Sequence, residues 1–206
     1  MRTALLLVAV TASTTSAEPD KHFAAIIKQA ATDYQKWTRV DEQPNIAPEL
    51  CRAPLPADYG VAAKVRLSAA EGGAHHDKLF YLWASDKAAY LKQGTIAAGF
   101  AIVKQSFSTK RHTEAKTATT TSIAFGRNPP PITWTKTPHG ALEIDQPKEL
   151  FIMAKTKTTG GTDDGWIYGT VATDGTVTSA GKVETCMHCH VEAPHGRLFG
   201  LPKEER

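Results

Sequence analysis

Two periodicities in one chain predict an α+β fold, an antiparallel β-sheet packed with a few helices. Near the start, Phe23, Ile26, Ile27, Ala30, Tyr34 and Trp37 recur at intervals of three and four, the spacing of one apolar helix face. In the middle, apolar residues alternate with polar ones or run continuously between Gly, Pro, Asn and Asp punctuation, which is the habit of strands. Several strands with helices at both ends and one between favour an antiparallel sheet over a regular strand-helix repeat.

The chain of 206 residues, 41% hydrophobic and 22% charged, is long enough to bury the core of one domain and too apolar to stay disordered. Its 24 Lys plus Arg against 21 Asp plus Glu leave a net charge of +3, too weak a field to require nucleic acid or an anionic membrane as partner. No apolar run is long enough to span a bilayer. Three cysteines are too few for a disulfide-framed scaffold.

In chain order, Arg2, the apolar stretch 4–10 and the small residues 11–17 have the layout of a secretory signal peptide, cleaved between Ala17 and Glu18. The other reading of such a segment, a membrane anchor, needs a longer apolar core. The mature chain is then a single domain, 18–206, in the periplasm or outside the cell. Asp20 caps the first helix, and Pro44, Pro48, Pro54 and Pro56 make 41–59 an irregular connection holding Cys51. Val61, Ala63, Val65 and Leu67 alternate as a half-buried strand; 78–84 reads as a strand buried on both faces. Ser85 caps a short helix to Gln93, ended by Gly94. Further strands are expected at 99–108, 119–125, 149–155 and 166–172, loops at 128–131 and 137–140, and a turn at Asp174-Gly175.

The chemistry is concentrated near the carboxyl end, in Cys186-Met187-His188-Cys189-His190, the spacing C-x-x-C-H of c-type haem attachment. Two thiols one helical turn apart can both add to the haem vinyl groups, and the next residue, His190, offers its imidazole to the iron. A redox dithiol or half a zinc site would use the same cysteines, but a zinc site needs a second Cys pair, which this chain lacks. The predicted architecture therefore ends in a haem c attachment helix. Export agrees with this, because bacterial haem c is attached outside the cytoplasm. No methionine follows His190, and the only upstream candidate for a second axial ligand, Met153, sits among Phe151, Ile152 and Ala154 as a core residue would.

A carboxy-terminal haem motif after an antiparallel sheet resembles the cytochrome P-460 family, which includes the β-type cytochromes c′. The resemblance is carried by 78–93, by Gly99-Phe100-Ala101-Ile102-Val103-Lys104, by Gly165-Trp166-Ile167-Tyr168 and by the segment Cys186 to His190. It implies a periplasmic homodimer with one five-coordinate haem c, His190 as proximal ligand and an open distal face. Some members oxidise hydroxylamine and pass electrons to another cytochrome; others bind nitric oxide or related ligands. In the oxidising members a lysine at the end of a strand like 99–104 is joined to the porphyrin edge, and Lys104 falls on that position.

Read from the residues alone, Lys104 shares a strand face with Phe100 and Ile102. There it is either a desolvated, nucleophilic amine or a lysine that snorkels into solvent. The family also implies an arginine on the strand resembling 79–83, where this chain is apolar with Lys78 beside it. It further implies a distal carboxylate, for which Glu184 is the nearest residue; a glutamate there also suits the first turn of a helix. His75 and His76 are loop residues or distal groups, and His195 covers a propionate or is solvated. Cys51 is a buried thiol, a distal thiolate or an intermolecular disulfide partner. Phe80, Phe100 and Phe151 are core residues or walls of a distal pocket.

Overall fold

The protein is described by a computed structural model over residues 20–46, 78–92, 94–112, 132–137, 140–157, 160–193 and 196–198. The signal peptide expected at 1–17, the strands expected at 61–67 and 119–125, the loop at 128–131, and Cys51, His75, His76 and His195 lie outside the described residues.

The first helix, α1 (Lys21–Asp33), starts as its sequence dictates, with the Asp20 carboxylate accepting from the His22 backbone N–H at 2.9 Å. Its stripe Phe23, Ile27 and Ala30 is buried, and the chain tightens into a 3₁₀ turn at Tyr34–Lys36. Two short strands follow, β1 (Thr38–Arg39) and β2 (Asn45–Ile46), the second inside the segment expected to be irregular. Then come β3 (Leu79–Ala84), the short helix α2 (Lys87–Leu91), β4 (Ala101–Arg111), β5 (Trp134–Thr137), β6 (Gly140–Lys155), β7 (Trp166–Val171), β8 (Val177–Gly181) and the last helix, α3 (Glu184–His190). The strands form one antiparallel sheet in the order β1-β3-β4-β6-β7-β8, with β2 also on β3 and β5 also on β6. The α+β expectation therefore holds.

Several boundaries differ from the sequence reading, each for a local reason. The cap of α2 is Asp86, not Ser85: its carboxylate accepts from Ala89 N–H at 2.9 Å, three residues on. The Ser85 hydroxyl instead accepts from Ala101 N–H at 2.9 Å and so ties the start of β4 to the end of β3. Of the segment expected as a loop at 137–140, the described residues Thr137 and Gly140 (φ 119°) are paired across from each other, as the end of β5 and the start of β6. β6 runs for 16 residues because its polar first half pairs with β5 and the far end of β4. Pro147, which reads as a strand breaker, sits opposite Phe107 where the β4–β6 register shifts on both sides, a place that tolerates a missing N–H. β5 and β8 were not foreseen; β8 returns along β7 through the expected Asp174-Gly175 turn, where Gly175 has φ 85°.

The sheet has two apolar faces. On one, α1 and the 3₁₀ turn after it pack Phe23, Ile27, Ala30 and Tyr34 over Tyr81, Trp83, Ala101, Val103, Phe107, Ile152, Ile167 and Val171. The other carries Phe100, Ile102, Met153, Trp166 and Tyr168, with Val183, Cys186 and Met187 of the α3 region packed against it. β3 is accordingly not buried evenly: Tyr81 and Trp83 are buried toward α1, whereas Phe80 and Leu82 on the second face are only half-buried.

α1 comes close to β7 because Gly169 has no side chain: a Cβ there would meet Ile27 carbons at 2.6 to 2.8 Å. Gly169→Ala is expected to destabilise the fold by about 1–3 kcal/mol, the usual range for overpacking a filled core. Trimming the obstruction with Ile27→Val should recover part of the loss, and denaturant unfolding of the two single variants and the double variant measures both effects.

Candidate functional site

The cysteine-histidine segment forms the seven-residue helix α3, so that Val183, Cys186, Met187 and His190 follow one another at helical spacing. Val183, Cys186 and Met187 rest on the second sheet face. Cys189 is half-buried about one turn from Cys186, and the two thiols are not joined to each other. Glu184, Thr185 and His188 are exposed.

His190 contacts Arg197 and Tyr168, which Asp163 ties together. Its Nδ1 lies 2.8 Å from the backbone oxygen of Arg197. A carbonyl only accepts, so Nδ1 carries the hydrogen and the lone pair of the neutral ring is on Nε2. The guanidinium of Arg197 in turn donates to both carboxylate oxygens of Asp163, at 2.8 and 2.9 Å. The Tyr168 hydroxyl donates to Asp163 Oδ2 at 2.7 Å, and the Tyr168 ring lies 5.5 Å from the imidazole, tilted by 45°. Burial pushes the His190 pKa down and the Lys104 charge adds to this, against the raising effects of the Arg197 carbonyl and the Asp163 charge. The net direction favours the neutral imidazole that a metal requires.

Lys104 is on the expected face. It stands opposite Leu82 on β3 and Phe151 on β6, and its Nζ lies 4.2 Å from the centre of the Phe80 ring and 5.7 Å from that of Phe151. The amine therefore has aromatic faces around it at a half-buried position, where cation–π attraction offsets part of its desolvation. The same Phe151 ring has Lys78 Nζ 5.1 Å from its centre, and Lys78 is hydrogen-bonded to Glu149. Burial is the largest single effect on the Glu149 pKa and raises it, but the hydrogen bond and charge of Lys78, a backbone hydrogen bond and the Lys148 charge together keep the carboxyl below its usual value.

The structure thus gathers Cys186, His190, Lys104, Phe80 and Phe151 on the second sheet face or against it, and leaves Glu184 exposed in the first turn of α3. Met153 is buried in the same apolar cluster. Sequence reading missed Asp163, Arg197 and Glu149. Asp163 and Arg197 belong to no periodic pattern, and their only local cue was the turn chemistry of Asp164-Gly165 and Gly196; Glu149 stood only as the first residue of an expected strand.

The donor set fits haem c: two thiols about one turn apart, and an adjoining imidazole whose Nδ1 is already committed. Nε2 would hold the iron, the two cysteines the porphyrin edge, and the aromatic sheet face would lie beside it. The chain matches no protein-family model and no curated protein. Among the described residues, no helix is long and apolar enough to cross a membrane.

The Arg197 hydrogen bonds come first among the effects on Asp163 and hold its carboxyl below the usual range, with help from Tyr168 and against burial. A carboxylate depressed in the folded state contributes stability above its unfolded pKa and loses it as pH falls through the folded value. The stability difference between the native chain and Asp163→Asn should therefore be constant above about pH 5 and narrow below about pH 4, as read by denaturant titrations across that range.

Proposed function

We propose that the protein is an exported mono-haem c-type cytochrome, attached through Cys186 and Cys189 and ligated by His190. It would act on small nitrogen compounds at an open distal site, with hydroxylamine or nitric oxide as the substrate class. The observation that carries the reading is the commitment of His190 Nδ1 to a backbone carbonyl on a helix that also presents Cys186 to the apolar sheet face. Haem c, when bound, supplies an iron centre that exchanges electrons one at a time. The polypeptide fixes the imidazole, walls the face with Phe80 and Phe151, and keeps Lys104 beside those rings. Oxidation of hydroxylamine releases protons as well as electrons. On this reading Glu149, half-buried on Lys104's side of the sheet, is better placed than exposed Glu184 to accept a proton, and the electrons leave to a redox-partner cytochrome. A homodimer is part of the proposal through the P-460 resemblance alone.

The alternative is a nitric oxide or gas-binding protein without turnover, or a simple electron carrier. The apolar wall formed by Phe80, Leu82 and Phe151 favours binding of a small neutral ligand as much as it favours oxidation.

Replacing Cys186 and Cys189 together by Ala should abolish haem that survives acid extraction. Covalent haem persisting in that variant would defeat the assignment. In the native protein, the reduced iron should be five-coordinate and take up carbon monoxide rapidly, whereas a low-spin six-coordinate spectrum converted to high spin by Met153→Leu would favour the electron carrier.

If Lys104 is joined to the porphyrin, the reduced Soret band lies far to the red of an ordinary cytochrome c. A tryptic haem peptide then holds both the Cys186–His190 segment and the strand around Lys104. Lys104→Leu should remove both features and keep the thioether bonds. Hydroxylamine turnover should fall about 10²-fold or more in Glu149→Gln and stay near native in Glu184→Gln. An ordinary Soret band without turnover would leave the gas-binding reading.

A further inference from the structure

We propose that Arg197 and Asp163 are positioning residues for the His190 imidazole, with Arg197 interposed so that the ring bonds a neutral carbonyl while the nearby carboxylate is neutralised. This rests on His190 as the axial ligand.

The geometry around the ring has a specific order. The oxygen that accepts from Nδ1 belongs to the same residue whose guanidinium grips Asp163 through two hydrogen bonds of 2.8 and 2.9 Å. A forked pair of this kind fixes direction as well as distance. Anchoring the Arg197 side chain therefore fixes where its carbonyl points. The backbone there is not relaxed: Arg197 has φ 80°, in the left-handed region that a side chain disfavours, directly after Gly196 at φ 58°. The next residue, Leu198, is 3% exposed within the second apolar cluster and pins the other end of this strap.

Asp163 is equally constrained. It exchanges two backbone hydrogen bonds of 2.8 Å with Trp166, and its Oδ2 also accepts from Tyr168, whose ring faces the imidazole. Each link from β7 to the strap thus ends at the same histidine.

The chemical consequence lies in which acceptor the ring meets. A carboxylate bonded directly to Nδ1–H would draw off the proton and make the imidazole a more basic ligand. Here the carboxylate is one residue removed and its charge is matched by the guanidinium. The ring therefore receives direction from the clamp without receiving the anion.

The two charges must then act in opposite senses on a nearby redox centre. Arg197→Gln leaves the Asp163 anion unmatched, which favours the oxidised, more positive state and lowers the reduction potential. Asp163→Asn leaves the guanidinium unmatched and raises it. The double variant should return close to the native potential. A residue pair serving only to tie down the strap would loosen the histidine in the same way from either side and shift both potentials in one direction.

The experiment is a redox titration of the purified, full-length protein and the three variants. Opposite shifts in the single variants, cancelling in the double, uphold the proposal; shifts of the same sign, or none in either, overturn it. If a charge variant does not fold, Tyr168→Phe decides: it removes one donor from Asp163 and keeps the ring, so the potential should fall, and an unchanged or higher value overturns the proposal. A chain purified without covalent haem would defeat the haem reading instead. The clamp is then read from the His190 Nδ1–H resonance in the same chain, which should exchange with solvent about tenfold faster in Arg197→Gln than in the native chain. Equal exchange rates would overturn it.

Discussion

The alternation of side chains along a β-strand divides the sheet into two faces, and everything else in the structure follows from how differently those faces are covered. Among the described residues one face is covered by an amphipathic helix whose Ile27 settles over a glycine so closely that not even a Cβ fits beneath it. The opposite face is apolar over much of its area but carries a lysine near its centre and a Lys78–Glu149 ion pair at one side. An all-hydrocarbon helix would bury that face poorly. The short helix α3, with thiols, a thioether and an imidazole on or near its inner side, gives the second face a different kind of lining.

That lining makes the chemistry of His190 a property of the fold rather than of a loop. Neighbouring residues of β7 face opposite ways: Gly169 receives Ile27 on one side of the sheet while Tyr168 meets the imidazole on the other. Packing of the amino-terminal helix and orientation of the carboxy-terminal one are thus set by consecutive residues. Rigid support of this sort is what a functional side chain needs, because small angular errors at a ligand forfeit much of its value.

The sequence was most legible where one pattern acted alone. The α1 stripe, its Asp20 cap, the β3 and β7 strands, the shared face of Phe100, Ile102 and Lys104, and the cysteine-histidine helix all came from local spacing. The first half of β6 was hidden because its pairing with β5 leaves it half in solvent, where polar residues and a proline are acceptable. β8 was hidden because small polar residues hold it, with Thr170 bonded to Thr178 and Ser179. Asp163 and Arg197 are 34 residues apart and are brought together only by the fold. No periodicity announces such a pair. Glu149 was read only as the start of a strand, since its role depends on Lys78 across the sheet.

The long hairpin has a further consequence. Between Gln105 and Thr109 the register of β4 against β6 shifts by one residue on each side of Phe107, so the regular ladder is interrupted between the sheet body and the outer ribbon. Among the described residues, the ribbon beyond those shifts comprises β5 and the ends of β4 and β6, with no helix over it. Cooperativity is transmitted by packed contacts, and those described between the ribbon and the body run through Ile144, which packs against the α1-side core, and through Tyr81, which bonds the Ile132 carbonyl ahead of β5. The ribbon should therefore behave as its own foldon, opening and closing many times for each global unfolding of the body, while the α1 face and the strands beneath α3 remain protected.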